Sequence, residues 1–163
     1  MNIYLVGFMG SGKSAVGPIL ARLMGREFVD TDALVGDIPA IFRARGEKAF
    51  RDLEAFAVRS VSRRRGLVVS LGGGALLRAG NRAAIRRSGK TVYLRCGVSR
   101  LMARLRRAKG RPLLAGGALR SRVAELMEKR RPHYEKADLT IRVDGRSAGE
   151  VARAVLKRLK GEA

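Results

Sequence analysis

The sequence predicts an α/β domain built on a five-stranded parallel sheet with helices on both faces. Three observations lead there. Short apolar runs alternate with amphipathic stretches along the 163 residues. The first run, Ile3-Tyr4-Leu5-Val6, passes directly into a glycine-rich loop and then a helical pattern. The 46% hydrophobic content suffices for one core of this length. Alternation of strand and helix signals is the mark of parallel βαβ units.

The elements follow in order. Residues 2–6 read as a strand. Residues 13–24 read as a helix with Val16, Ile19, Leu20 and Leu23 at helical spacing, Pro18 about one turn in and Gly25 as its stop. A short strand at 27–29 leads into Asp30-Thr31-Asp32. Helices are expected at 38–45 and 47–64, stopped by Gly66, followed by a buried strand at 67–71 that ends in Gly72-Gly73-Gly74. A helix at 80–87, a strand at 91–95 and a helix at 99–107 come next. After a polar segment at 108–117, a helix reaches to about residue 131. A strand at 139–143 and a helix at 147–159 close the chain. No repeat, low-complexity segment or linker interrupts it, so a single domain is expected.

Residues 7–14, Gly-Phe-Met-Gly-Ser-Gly-Lys-Ser, fit the phosphate-binding spacing G-x-x-x-x-G-K-[ST]. Glycines let several backbone N–H groups turn toward one phosphate, and the following helix adds the positive end of its dipole. Lys13 is placed to reach the β- and γ-phosphates and Ser14 to ligate Mg²⁺. The chain is therefore expected to bind a nucleoside triphosphate. In parallel sheets ligands sit beyond the carboxyl ends of the strands, so this loop, Asp30-Thr31-Asp32 and the three glycines should share one cleft.

Around that cleft the residue types suggest roles. Asp30 and Asp32 alternate past a strand end, so one can face a metal through water and the other a hydroxyl-bearing substrate; Asp32 would also serve as a plain helix N-cap. Arg51 and Glu54 lie three apart on a helix, which suits a guanidinium oriented for a carboxylate ligand and equally an ordinary surface pair. The triple glycine allows close approach to bare backbone, or is only a flexible turn. Arg104 and Arg111 flank the polar segment, which could close over ATP and neutralise a transferring phosphoryl group.

Composition bounds the rest. Cys96 is the only cysteine and His133 the only histidine, which excludes an internal disulfide and any Cys/His metal site and suits a reducing cytosol. No apolar stretch is long enough to span a bilayer, and the chain opens on a strand rather than a leader, so a cytoplasmic location is expected. The net charge is +21, and it is uneven: residues 59–134 carry 21 basic groups against only Glu125 and Glu128. Arginine greatly outnumbers lysine, which points to compositional bias together with steering of anionic ligands. Nucleic-acid binding is disfavoured because aromatics are only 5% and no recognition motif is present. Arg63, Arg64 and Arg65 are expected on a solvated face.

Taken together the motifs resemble the shikimate kinase family over nearly the whole chain. The matching marks are the loop at 7–14, Asp30-Thr31-Asp32, Ile41-Phe42, Gly46-Glu47, Phe50-Arg51-x-x-Glu54, Gly72-Gly73-Gly74, Arg111-Pro112-Leu113-Leu114 and Arg130-x-Pro132-x-Tyr134. The resemblance implies a three-layer P-loop kinase fold of sheet order 2-3-1-4-5, with a substrate-binding segment at about 32–60 and a lid at about 106–118. It implies transfer of the ATP γ-phosphate to the 3-hydroxyl of shikimate, in aromatic amino-acid synthesis, with Mg²⁺ as cofactor. Gly10, Ser11, Gly12, Lys13, Ser14, Ala15, Arg104 and Arg111 would bind ATP, Arg104 by stacking on adenine. Asp32, Arg51, Gly72, Gly73, Gly74 and Arg130 would bind shikimate, with Arg51 and Arg130 clamping its carboxylate and Phe42 and Phe50 forming apolar walls. Lys13, Asp32 and Arg111 would be catalytic, and Ser14, with Asp30 through water, would hold the metal. A monomer acting on ATP and shikimate is expected. The segment between Asp32 and Ile38 is shorter than the family's usual pattern, so the helix there must start later or be trimmed. A gluconate-type kinase would share the loop and the lid but would not need two arginines facing a ring-borne carboxylate. An idle ATP-binding protein with nucleic-acid contacts would be expected to lose Lys13, Asp32 or Arg111, and all three are present.

Overall fold

The computed structural model describes residues 1–106 and 118–161. The strands are β1 (Asn2–Val6), β2 (Glu27–Asp30), β3 (Leu67–Ser70), β4 (Gly89–Arg95) and β5 (Leu139–Arg142). They form one sheet in the order β2-β3-β1-β4-β5, with every pairing parallel. Register is set by apolar runs: Ile3 and Leu5 on the central strand face Val68 and Ser70 on one side, and Lys90 and Val92 on the other. β1 and β3 are buried along their whole length, as strands covered on both faces must be, whereas β2 and β5 each keep only one fully buried residue, as edge strands do.

The helices are α1 (Lys13–Leu23), α2 (Thr31–Val35), α3 (Ile38–Arg63), α4 (Ala79–Ser88), α5 (Val98–Leu105), α6 (Leu119–Tyr134) and α7 (Ala148–Leu159). α1 packs with α7, and α3 packs with α4. Leu20 and Val16 of α1, Val58 and Val61 of α3, Ile85 of α4 and Val151 and Val155 of α7 supply the core from the helix layers. The sequence-based elements all occur, with three differences. α2 was not expected: Asp30 caps it, accepting a hydrogen bond from the Asp32 backbone N–H at 3.0 Å. The capping role is therefore Asp30's, and Asp32 lies in the helix's first turn. A short 3₁₀ turn, Ala75–Leu77, follows the glycine run. α6 runs to Tyr134 with Pro132 inside it, beyond the expected end near residue 131.

The two helices expected at 38–45 and 47–64 both occur within α3, separated by a kink at Gly46, which takes φ 73° and ψ 179°. That left-handed, extended conformation is open to glycine and strained for other residues. A tight link joins α2 to α3: Gly36 closes α2 at φ 91°, and Asp37 caps α3 by accepting from the Ala40 N–H at 3.0 Å. The single cysteine, Cys96, is buried and free, and burial beside Asp144 raises its thiol pKa. Among the described residues no helix is long and apolar enough to cross a membrane.

Candidate functional site

A cavity of about 420 Å³ opens beyond the carboxyl ends of the central strands. Gly10, Gly12, Lys13, Ser14 and Ala15 of the loop form one end. Asp32, Phe42, Phe50, Arg51, Glu54, Gly73, Gly74 and Arg130 form the other, and Arg104 borders the loop. Of the remaining expected residues, Ser11, Asp30 and Gly72 stand behind this lining. Arg111 and the body of the expected lid, residues 107–117, lie outside the described residues.

The loop is held by its own lysine. Lys13 is largely buried, and its Nζ donates to Gly7 O at 2.9 Å and Phe8 O at 3.2 Å. Gly7, Gly10 and Gly12 all have positive φ, which turns the backbone around a small hollow. Ser11 Oγ is buried there with no hydrogen-bond partner among the described residues. Arg104 Nη1 donates to Gly10 O at 2.6 Å, so α5 is pinned to the loop. Ser14 Oγ donates to Asp30 Oδ2 at 2.8 Å, linking the start of α1 to the end of β2. A hydroxyl and a carboxylate at this spot are hard oxygen donors, which suit Mg²⁺ completed by water and phosphate oxygens. No cluster of three or more His, Cys, Asp or Glu occurs among the described residues, so a dedicated all-protein metal cage is not what these donors offer.

The other end is a compact charge cluster. Arg51 Nη1 donates to Glu54 Oε2 at 2.9 Å, and its Nε and Nη2 donate to Glu47 Oε1 at 3.2 and 3.0 Å. Glu54 is 2% exposed, and its second oxygen has no partner among the described residues. Burial raises the Glu54 pKa and the Asp32 charge adds to this, against the pull of Arg51 and Arg130. Arg130 is also 2% exposed; burial lowers its pKa, and its Nε lacks a partner among the described residues. Burial also works to lower the Arg51 pKa, but Glu54 and Glu47 outweigh it and leave the group raised. The Arg51 guanidinium lies 4.9 Å above the Phe50 ring, and that of Arg130 lies 5.6 Å from the Phe8 ring. Phe42 and Phe50 meet at 5.0 Å between ring centres.

The triple glycine explains itself against this cluster. A Cβ on Gly72 would stand 2.6 Å from Asp32 Oδ1 and 2.7 Å from Glu54 Oε1. One on Gly73 would stand 3.1 Å from Arg130 Nη1, and one on Gly74 would intrude on the Arg51 guanidinium. Each glycine leaves room for a different charged head. The run is therefore a packed floor, and the flexible-turn reading fails.

Three partners escaped the sequence reading as site residues. Thr31, fully buried, donates through Oγ1 to Ser70 O at 3.2 Å and accepts from Gly72 N–H at 3.0 Å, fastening the floor and the end of β3 to the start of α2. Tyr134 donates its hydroxyl to Gly73 O. Glu47 completes the cradle of Arg51. For Thr31 and Tyr134 the only signal was membership of a motif; for Glu47 it was the i,i+4 spacing to Arg51.

A phosphate-binding loop at the head of a 2-3-1-4-5 parallel sheet, beside a small anion-reading pocket, defines a P-loop small-molecule kinase. Comparison with known proteins refines this. The family model for shikimate kinase matches residues 9–160. The shikimate kinase of Synechococcus sp. is 41% identical, covering 98% of this chain and 85% of its own. The solved shikimate kinase from Acinetobacter baumannii in complex with shikimate superposes with a TM-score of 0.95 at 37% identity, covering 98% of this chain and 93% of its own. A gluconokinase from Sinorhizobium meliloti aligns with a TM-score of 0.69 at 25% identity, over 97% and 92% of the two chains. The chain belongs to the shikimate kinase family.

Proposed function

We propose that this chain transfers the γ-phosphoryl group of ATP to the 3-hydroxyl of shikimate, acting as an ATP-dependent phosphotransferase with an alcohol acceptor in aromatic amino-acid synthesis. The observation that carries the reading is the convergence of Arg51, Arg130 and Asp32 on one cavity with the phosphate-binding loop. Two guanidinium groups at one end match a carboxylate, through bidentate, charge-assisted hydrogen bonds. Asp32, which lines the same cavity as the loop, accepts the proton of the attacking hydroxyl. The hydroxyl oxygen then bonds to the γ-phosphorus as the bond to the β,γ-bridging oxygen breaks, and ADP leaves. Backbone N–H groups from Gly10 to Ala15 and the Lys13 ammonium hold the phosphates and stabilise charge on the group in flight. Arg111 adds to this from the lid, by the family pattern. Ser14, with Asp30 acting through water, would hold Mg²⁺, which would supply further neutralisation of phosphate charge. Arg104, fixed to the loop, is placed for the adenine. The working unit is read as a monomer, and the buried thiol of Cys96 suits a reducing cytoplasm.

The test is ADP release with ATP and Mg²⁺ in the presence of shikimate, gluconate or no acceptor. Shikimate-dependent release is expected, with turnover in the ordinary range for metabolic enzymes, roughly 1–10³ s⁻¹. Equal release with gluconate, or release independent of acceptor, would overturn the assignment of the pocket.

A further inference from the structure

A second cavity, of about 370 Å³, lies at the opposite end of the sheet. It sits between the C-terminal ends of α3 and α4, next to the starting ends of β1, β3 and β4, and nothing in the kinase reaction uses it. Arg59, Arg63, Arg64, Arg65 and Arg87 line it together with the hydroxyls of Ser62 and Ser88. These arginines are solvent-exposed, as expected from the sequence, and together they wall a hollow. No carboxylate lines it. Arg64 pairs with Glu27, outside the lining. The side chains of Arg59, Arg63, Arg65 and Arg87 form no ion pair or hydrogen bond among the described residues, although other exposed arginines such as Arg78 and Arg122 find carboxylates.

Beneath these cations the framework is fixed. Asn2, fully buried, donates to Val61 O at 3.1 Å, to Arg64 O at 3.0 Å and to Tyr4 Oη at 3.1 Å, and accepts from Leu67 N–H at 3.0 Å. Tyr4 Oη shares a hydrogen bond with Ser88 Oγ at 2.6 Å and donates to Ser62 Oγ at 3.3 Å. This network ties the ends of α3 and α4 to β1 and β3, so the cavity keeps its shape without a ligand.

We infer that this cavity is a second anion site that takes a compact ligand bearing more than one phosphoryl group. Guanidinium forks match phosphate oxygens in geometry as well as charge. Four unpaired cations around one hollow repel each other and focus a positive potential that an anion relieves. The volume is that of a small-molecule pocket, which spans roughly 300–1,000 Å³. A nucleic-acid strand would want stacking surfaces, and no aromatic ring lines the cavity.

Titration calorimetry of the full chain with tripolyphosphate, at about 0.15 M salt so that diffuse charge effects are screened, tests this. Two classes of site are expected, of which ADP displaces first the one in the phosphate-binding loop, where the nucleotide also has its own contacts. Arg63→Ala with Arg87→Ala should weaken the second class by about tenfold or more. It should leave the class that ADP displaces first and shikimate-dependent turnover unchanged. Arg63→Gln with Arg87→Gln repeats the test should the first pair fail to fold, as judged by circular dichroism. Arg153→Ala with Arg158→Ala, on α7, removes the same charge elsewhere and should change neither class. Absence of a second class would overturn the inference, as would equal weakening by the α3/α4 and α7 pairs. So would a single-stranded oligonucleotide that binds more tightly than tripolyphosphate and is lost with Arg63 and Arg87.

Discussion

Replacing Glu54 by Gln isolates what holds the carboxylate clamp. The substitution keeps the shape of a side chain that is 2% exposed and keeps a neutral acceptor near Arg51 Nη1, now 2.9 Å from Oε2. It removes the charge. A hydrogen bond involving a charged group contributes about 1.5–3 kcal/mol; in the variant the guanidinium still donates, but to a neutral acceptor, so only part of that is lost. The loss in orienting Arg51 is then on the order of 1–1.5 kcal/mol, or about tenfold in KM for shikimate. Glu47 cannot make up the difference, because its side chain is 54% exposed and screened by water. Melting temperature should hardly move, since the variant also sheds the cost of a buried carboxylate; a full 1 kcal/mol would shift it by only about 2–4 °C. The assay is steady-state ADP release with each substrate varied in turn, repeated across acid pH. KM for ATP should stay put. In the unaltered chain KM for shikimate should rise as pH falls through the raised Glu54 value, because protonated Glu54 mimics Gln, and this rise should vanish in the variant. Equal increases in both KM values, or persistence of the acid rise in the variant, would refute the reasoning.

Other expectations follow from the same geometry. Lys13→Ala should remove most turnover, because it deletes both the charge facing the phosphates and the bonds to Gly7 O and Phe8 O; near-normal kcat would count against that role. Gly72→Ala puts a methyl group 2.6 Å from Asp32 Oδ1 and 2.7 Å from Glu54 Oε1, so shikimate turnover should fall by an order of magnitude or more while ATP affinity, read by nucleotide titration, is kept. Asp138 accepts from Thr91 N–H and Oγ1, both at 2.7 Å; burial pushes its carboxyl pKa up, but these hydrogen bonds outweigh it and leave the value lowered. Its folded form thus binds a proton less tightly than the unfolded chain, so its stabilisation is present above the usual Asp range near 4 and is lost as pH falls through the lowered value. Because Asp138 is exposed and screened by water, Asp138→Asn should cost only about 0.5 kcal/mol at neutral pH and flatten the acid limb of the melting-temperature curve.

The fold was legible because its signals are local. Strand β1, the loop and α1 are written in consecutive residues, and fully apolar runs announce buried parallel strands. The three segments expected at one cleft do meet there. What escaped depends on packing between distant segments. Asp30 and Asp32 are each good caps by composition, and only the Ser14 hydroxyl across the cleft shows why Asp30 takes that place. The triple glycine looked like possible slack because its necessity lies in side chains from α2, α3 and α6. Pro132 promised an earlier end to α6, but Tyr134 beyond it anchors the helix through its hydroxyl bond to Gly73 O and its stacked contact with Tyr93 at 5.3 Å. The basic middle of the chain read as uniform, since charge in a sequence does not reveal which arginines face carboxylates and which face one another.

The glycine floor also limits how this pocket could be retargeted. Each position in the run yields its side-chain space to a charged head, so no substitution there can reshape the pocket without first unseating Asp32, Glu54, Arg51 or Arg130. The opposite wall is different. Phe42 and Phe50 lie on either side of the Gly46 break; Phe50 carries the Arg51 guanidinium on its ring, whereas Phe42 packs on the Phe50 ring and can be trimmed or enlarged without removing a partner of the charge network. A laboratory search for new acceptors should therefore draw its diversity from Phe42 and the short Gly36–Asp37 link. The floor should be left as bare backbone, because it makes room for the charged heads that the proposed function assigns to the acceptor's acid group.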